Sequence, residues 1–174
     1  NFIDLMGAGL APELMEYTDS EAERCLNYGI PLPKTIKEAK GFVKRYSDFG
    51  HIGERIMFSI ESLRGVLVGG INVHSMNRKN GTFQTGSRIF RGHRGKGYIA
   101  DAKVMVLRYC FHKLRFQKYN VQVFSDNPKM LRHMKQFGCV EEGRIRRNIY
   151  TNGKYYDEVL LGMTREEFDT KYRG

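Results

Sequence analysis

The densest chemistry in the sequence lies in Arg91-Gly92-His93-Arg94-Gly95-Lys96-Gly97-Tyr98. Glycines at this spacing let the backbone approach a ligand closely and reach dihedral angles closed to other residues. The pattern that follows predicts a helix, whose first turn presents unpaired N–H groups and the positive end of its dipole. With Arg91, Arg94 and Lys96 added, the segment is suited to a phosphate or pyrophosphate. It is not a Walker A loop, because Gly97 follows Lys96 where Ser or Thr is needed. It is not a dinucleotide fingerprint either, because Gly92, Gly95 and Gly97 have the wrong spacing. A glycine turn carrying solvated cations is the plainer alternative for these residues alone.

The charge balance points the same way. Residues 88–154 hold 16 Lys and Arg against four Asp and Glu, a local balance of +12 within a net +10, so the rest is slightly acidic at −2. Such a surface attracts polyanions: nucleic acid, an anionic membrane or a polyphosphate ligand. No base-reading motif accompanies the charge, which weighs against nucleic acid. No apolar run reaches the roughly 18 residues of a membrane span, and no signal sequence opens the chain; a soluble cytoplasmic protein is expected. The three cysteines, Cys25, Cys110 and Cys139, have neither metal nor disulfide-framework spacing and read as buried thiols. No metal site is expected.

The elements that must carry the loop follow from periodicity and turn signals. Length fits one domain over residues 1–174. The chain begins without Met, and residues 2–5 read as the tail of a shortened first strand. Helices are expected over 12–27 and 35–46, the second with a Thr35–Glu38 capping box. Strands are expected over 56–60, 66–74 and 82–90, with turns at Arg64-Gly65 and Asn80-Gly81. The helix after the glycine loop should run over 99–114, with Ala102, Met105, Val106, Tyr109 and Cys110 inward. A strand over 119–124 leads to a short helix capped by Asn127, with Pro128 at its first position, and closed by Gly138. Strands 145–150 and 156–163 flank Asn152-Gly153, the strongest hairpin signal in the chain. The whole is a mixed α/β (α+β) domain.

The segment Gly92-His93-Arg94-Gly95-Lys96-Gly97 resembles the Gln/Arg-x-x-Gly-x-Gly/Ala motif of the GNAT superfamily. The wider frame, Gly86, Gly95-Lys96-Gly97-Tyr98 and Asp101-Ala102, is similar to the branch containing ribosomal-protein N-terminal acetyltransferases. So are Asn127, Phe137-Gly138, Glu142-Gly143-Arg144 and the final hairpin with Asp157. The chain departs from the branch pattern at Gly92, Ile99, Met130 and Cys139. The resemblance implies a mostly antiparallel sheet splayed near Phe90, flanked by helices, and acetyl-CoA as the acetyl donor. By the same resemblance, backbone amides of Arg88, Ile89 and Phe90 would pair with the pantetheine arm. Amides of Arg94, Gly95, Lys96, Gly97, Tyr98 and Ile99 would hold the pyrophosphate. Asn127 would contact the pantetheine or phosphate region, and Arg132 the 3′-phosphate; a plain helix cap and a solvated charge are the alternatives.

Acetyl transfer to an amine needs a proton acceptor for the amine, a donor for the oxyanion and a proton for the thiolate. Many relatives place a Tyr acid where this chain has Met134, and the branch often has Glu where this chain has Gln84. Gln84 can bind substrate but cannot act as a base. The remaining candidates are His74 and Glu61 as bases and Tyr150 as a donor to the thiolate or a pocket wall. Each has a plainer alternative as a surface or packing residue. The acceptor is an amine, either a small molecule or a protein N-terminus. It is expected to enter opposite the pyrophosphate, past residues 27–33 and the last hairpin, where Tyr28, Tyr150, Tyr155 and Tyr156 could form an aromatic pocket. A homodimer is compatible with the chain. A degenerate domain that binds coenzyme A as a sensor, and a nucleic-acid module, are the rival functions.

Overall fold

The computed structural model describes residues 55–151 and 153–173. The expected helices over 12–27 and 35–46, together with Cys25, Tyr28 and Asn152, lie outside the described residues.

Alternating apolar residues make three strands that pair as an antiparallel meander: β1 (Arg55–Glu61), β2 (Leu67–Asn77) and β3 (Thr82–Ile89). Gly65 (φ 74°) turns β1 into β2, and Gly81 (φ 68°) turns β2 into β3. Gly81 has a second constraint: a Cβ there would sit 2.8 Å from Gln117 Cγ. Its carbonyl accepts the N–H groups of Gln117 and Lys118, and this starts β4 (Lys118–Phe124) beside β3.

The glycine loop follows β3, and the helix after it, α1, spans Tyr98–Arg108. A wider turn continues it over Tyr109–Lys113, with Leu114 N–H donating to Tyr109 C=O. The regular helix therefore ends earlier than the periodicity suggests. Its inward set also differs: Ala102, Lys103, Val106, Leu107, Cys110 and Phe111 are buried, whereas Met105 is 67% exposed and Tyr109 41%. Buried Lys103 belongs to this inward face, rotated from the expected one.

Asn127 and Pro128 start α2 (Pro128–Phe137), and Gly138 (φ 108°) ends it. β5 (Val140–Thr151) and β6 (Lys154–Thr164) form a long hairpin with bulges near Glu142 and over residues 146–148. Asp157 holds the second bulge, accepting from Arg147 N–H at 2.9 Å. A Thr164–Glu167 capping box starts α3 (Arg165–Lys171), whose Phe168 is buried.

The sheet order is β1-β2-β3-β4-β6-β5. Among the described strands the one parallel neighbour pair is β3–β4, registered only at Thr82–Lys118 and Phe83–Tyr119. Beyond that rung the two strands diverge. Phe83 contacts Phe111 and Phe116, and Lys103 of α1 lies over the Tyr119 ring. Odd-numbered residues of β3 and β4 thus face the helices, and even-numbered residues face the other side. No helix among the described residues is long and apolar enough to cross a membrane.

Candidate active site

The opening between β3 and β4 leads directly into the glycine loop. Gly97 caps α1 at φ 84°, and Gly95 adopts φ 76°. A Cβ at Gly92, Gly95 or Gly97 would meet nothing within 4 Å, so the loop fronts open space. The first N–H groups of α1, on Tyr98 and Ile99, have no carbonyl one turn earlier, whereas Ala100 N–H donates to Gly97 C=O at 2.9 Å. Arg91, Arg94 and Lys96 are exposed around them. Arg94 has a structural task too: its Nε donates to Ile89 C=O at 3.1 Å, folding the loop back on β3.

The β3 edge of the opening follows from register. Phe90 N–H donates to Val68 C=O at 2.9 Å. Antiparallel alternation then directs the main-chain groups of Gln84, Gly86 and Arg88 toward β2, and those of Thr85, Ser87 and Ile89 toward the opening. This corrects the expectation for the pantetheine arm. Phe90 N–H is already paired and Arg88 N–H is turned away, so Thr85, Ser87 and the N–H of Ile89 present the free edge, while the Ile89 carbonyl is held by Arg94. A linear amide-bearing ligand can pair there as an added strand would. Loop and edge together fit a pyrophosphate joined to such an arm.

On the far arm, the Asn127 side chain accepts from Met130 N–H at 3.1 Å, which commits its oxygen to capping and leaves its NH₂ for a ligand. Arg132 is exposed on α2. Met134, at the position of the relatives' acid, is fully buried and offers no proton.

On the face away from α1 and α2, His74 is registered with Gln84, and Asn72 with Gly86. Burial, and secondarily the Arg55 guanidinium, holds the His74 imidazole below its ordinary value of 6.5. His74 Nδ1 lies 2.9 Å from Ser75 Oγ. The Asn72 Oδ1 is buried without a hydrogen-bond partner. A Cβ at Gly86 would sit 2.9 Å from Asn72 Nδ2, so Gly86 is what lets this amide lie flat on β3. On the β4 side, Glu158 is 4% exposed, with Asn148 Nδ2 donating to its Oε2 at 2.8 Å.

Two candidates fall away from this seam. Glu61 is exposed at the end of β1, the outermost of the described strands on this side, two strands away from the opening. Tyr150 is 64% exposed on β5, its ring tilted against that of Tyr155 at 4.9 Å, so it does not pack in the core. Burial pushes the Cys110 thiol up to about 12 and the Cys139 thiol to about 11, so neither is a thiolate nucleophile at neutral pH. Among the described residues no cluster of His, Cys, Asp and Glu could hold a metal.

Sequence reasoning missed Asn72, Glu158, Lys103, Tyr119 and Thr85. The one signal available for them was Lys103, a lysine on the apolar stripe of an amphipathic helix.

A splayed sheet with a glycine-rich anion loop at the mouth of the splay defines an acyl-coenzyme A-binding type of domain. The model of the acetyltransferase (GNAT) domain family matches residues 8–140, and the chain belongs to that family. The prophage-derived uncharacterized N-acetyltransferase YokL of Bacillus subtilis is 42% identical over 106 residues, 61% of this chain and 60% of that protein. YdaF of the same organism, provisionally named a ribosomal N-acetyltransferase, is 25% identical over 126 residues, 72% of this chain and 66% of that one. The matches thus span less than two thirds of either relative's length. The spermidine N-acetyltransferase of Vibrio cholerae, solved with CoA and spermine, shares the fold with a TM-score of 0.79 over 91% of both chains at 20% identity.

Proposed function

We propose that this chain is an N-acetyltransferase that takes the acetyl group from acetyl-CoA and passes it to a primary amine by direct attack. The observation that carries the reading is the β3–β4 ladder, which stops after Phe83–Tyr119 and opens beneath the glycine loop. When bound there, the donor supplies an activated thioester. The residues of the chain do the rest. First-turn amides of α1 and the side chains of Arg91 and Lys96 bind the pyrophosphate. Main-chain groups of Thr85, Ser87 and Ile89 orient the arm so that its end reaches the floor of the splay.

The acceptor comes from the opposite face. Asn72 Oδ1, lacking a partner, takes an N–H of the amine, which relieves an unsatisfied buried acceptor worth about 1–3 kcal/mol. His74, held neutral by its burial, takes the amine proton at Nε2, the nitrogen away from Ser75. Gln84 positions the amine. A small polyamine and a protein N-terminus both satisfy this chemistry.

Titration calorimetry with acetyl-CoA tests the donor half, with saturable binding expected. A thiol-release screen over peptide N-termini, polyamines, amino sugars and aminoglycosides tests the acceptor half. Saturable binding without thiol release on any amine would replace the enzyme reading with that of a coenzyme A sensor. Steeply salt-dependent oligonucleotide binding with no response to coenzyme A would favour the nucleic-acid module.

A further inference from the structure

Resting on the reading above, we propose that Tyr119 is the acid that protonates the departing thiolate, with Thr85 and Lys103 as its positioning residues. Lys103 is only 2% exposed, and no carboxylate pairs with it among the described residues. Its Nζ has Met134 Sδ at 3.6 Å and lies over the rings of Tyr119 and Phe137, at 5.9 and 5.7 Å from their centroids. Burying an ammonium among sulfur and ring faces is costly unless negative charge arises beside it. Tyr119 is 1% exposed, and its hydroxyl reaches diagonally from β4 to Thr85 Oγ1 on β3 at 2.8 Å. That bond crosses the splay just beyond the last rung, on the helix side. His74 and Gln84 border the same rung from the other face. A group inserted between the strands therefore has a proton acceptor on one side and the Tyr119 hydroxyl on the other. Met134 cannot supply this proton, and its neighbour Lys103 stands behind the residue that can.

As the carbon–sulfur bond breaks and its electron pair stays on sulfur, Tyr119 gives its Oη proton to the sulfur. Thr85 Oγ1 donates to the phenolate oxygen left behind, the Lys103 ammonium balances its charge, and water returns the proton. The amine's own proton leaves through His74, so the step is balanced.

The test compares the full-length wild type with Tyr119→Phe and Lys103→Met. Titration calorimetry uses coenzyme A and dethio-coenzyme A, which lacks the sulfur. The wild type is expected to bind coenzyme A about tenfold more tightly than the dethio compound, and both variants to lose that preference. In both variants kcat should fall about a hundredfold with KM for acetyl-CoA within about twofold. Lys103→Met places an apolar chain of similar length among Met134, Tyr119 and Phe137, so it keeps the test open should Tyr119→Phe not fold. Equal binding of the two compounds by the wild type, or an unchanged kcat in a folded Tyr119→Phe, overturns the acid assignment and leaves donor binding standing. If neither compound binds the wild type, the N-acetyltransferase reading itself fails.

Discussion

His74 and Asn72 are ordinary residue types that acquire their chemistry from position. Burial disfavours the imidazolium at His74, and at His133, where burial acts first and the Lys103 charge second. For both, the folded state holds protons less tightly than the unfolded chain. Their contribution to stability is therefore complete above the ordinary value of 6.5 and is lost as pH falls through that value toward the lower folded one. Thermal melts of the wild type should show Tm dropping on acidification through this window, and His74→Gln should flatten the drop; an identical slope in the variant would show that His74 is not desolvated. The same substitution should lower kcat about a hundredfold while leaving acetyl-CoA affinity unchanged, as expected for loss of a base. Because Asn72 Oδ1 is buried without a hydrogen-bond partner, Asn72→Leu should be tolerated by the fold yet raise KM for the amine more than KM for acetyl-CoA. Equal changes in the two constants would remove Asn72 from the acceptor site.

The short elements are set by chemistry local to the chain, and substitutions there separate folding from binding. Gly97 caps α1 in the left-handed region with nothing near its missing Cβ. Gly97→Glu places a carboxylate among the amides meant for a pyrophosphate, and acetyl-CoA affinity should fall about a hundredfold or more in calorimetry. Gly97→Ala, which adds only backbone strain of about 1–2 kcal/mol, should weaken binding less. Comparable affinity for wild type and Gly97→Glu would mean that the phosphates bind elsewhere. Asn127 is a cap with a defined acceptor, Met130 N–H, so Asn127→Ala should cost about 1 kcal/mol and about 3 °C in Tm, read by thermal denaturation. Any loss of acetyl-CoA affinity beyond that would come from the side-chain NH₂ that the cap leaves free.

Across the molecule, positive charge is concentrated between residues 88 and 154, the stretch that contains the loop, the β4 wall of the splay and most of the final hairpin. A donor carrying several phosphates is drawn to such a surface before it docks. The association rate of acetyl-CoA, followed by stopped-flow, should fall several-fold as ionic strength rises from about 0.05 to 0.5 M, while dissociation changes little. A salt-independent association rate would show that these cations are spread too thinly to steer a ligand. Not every charge in this stretch is available: Arg94 is tied to Ile89, and Arg144 pairs with Asp157 and Glu141.

The glycine loop, the helix after it, the Asn127–Pro128 start of α2 and its Gly138 stop were legible in the sequence, because each depends on residues within a few positions of one another. The splay near Phe90 was legible too, through resemblance rather than through any local signal. What the tertiary structure alone decided is which groups meet at the seam. His74 meets Gln84, Asn72 lies on Gly86, Tyr119 reaches Thr85 and Lys103 covers Tyr119, pairs that are 10, 14, 34 and 16 positions apart in sequence. Strand register fixes the first three, and the rotation of α1 about its axis fixes the fourth. A one-residue slip in register would send His74 and Asn72 to the helix face and turn the free edge of β3 from Thr85, Ser87 and Ile89 to their neighbours. Register is set by the summed burial of both sheet faces and by ties such as Phe90 N–H to Val68 C=O, and no short stretch of sequence carries that sum.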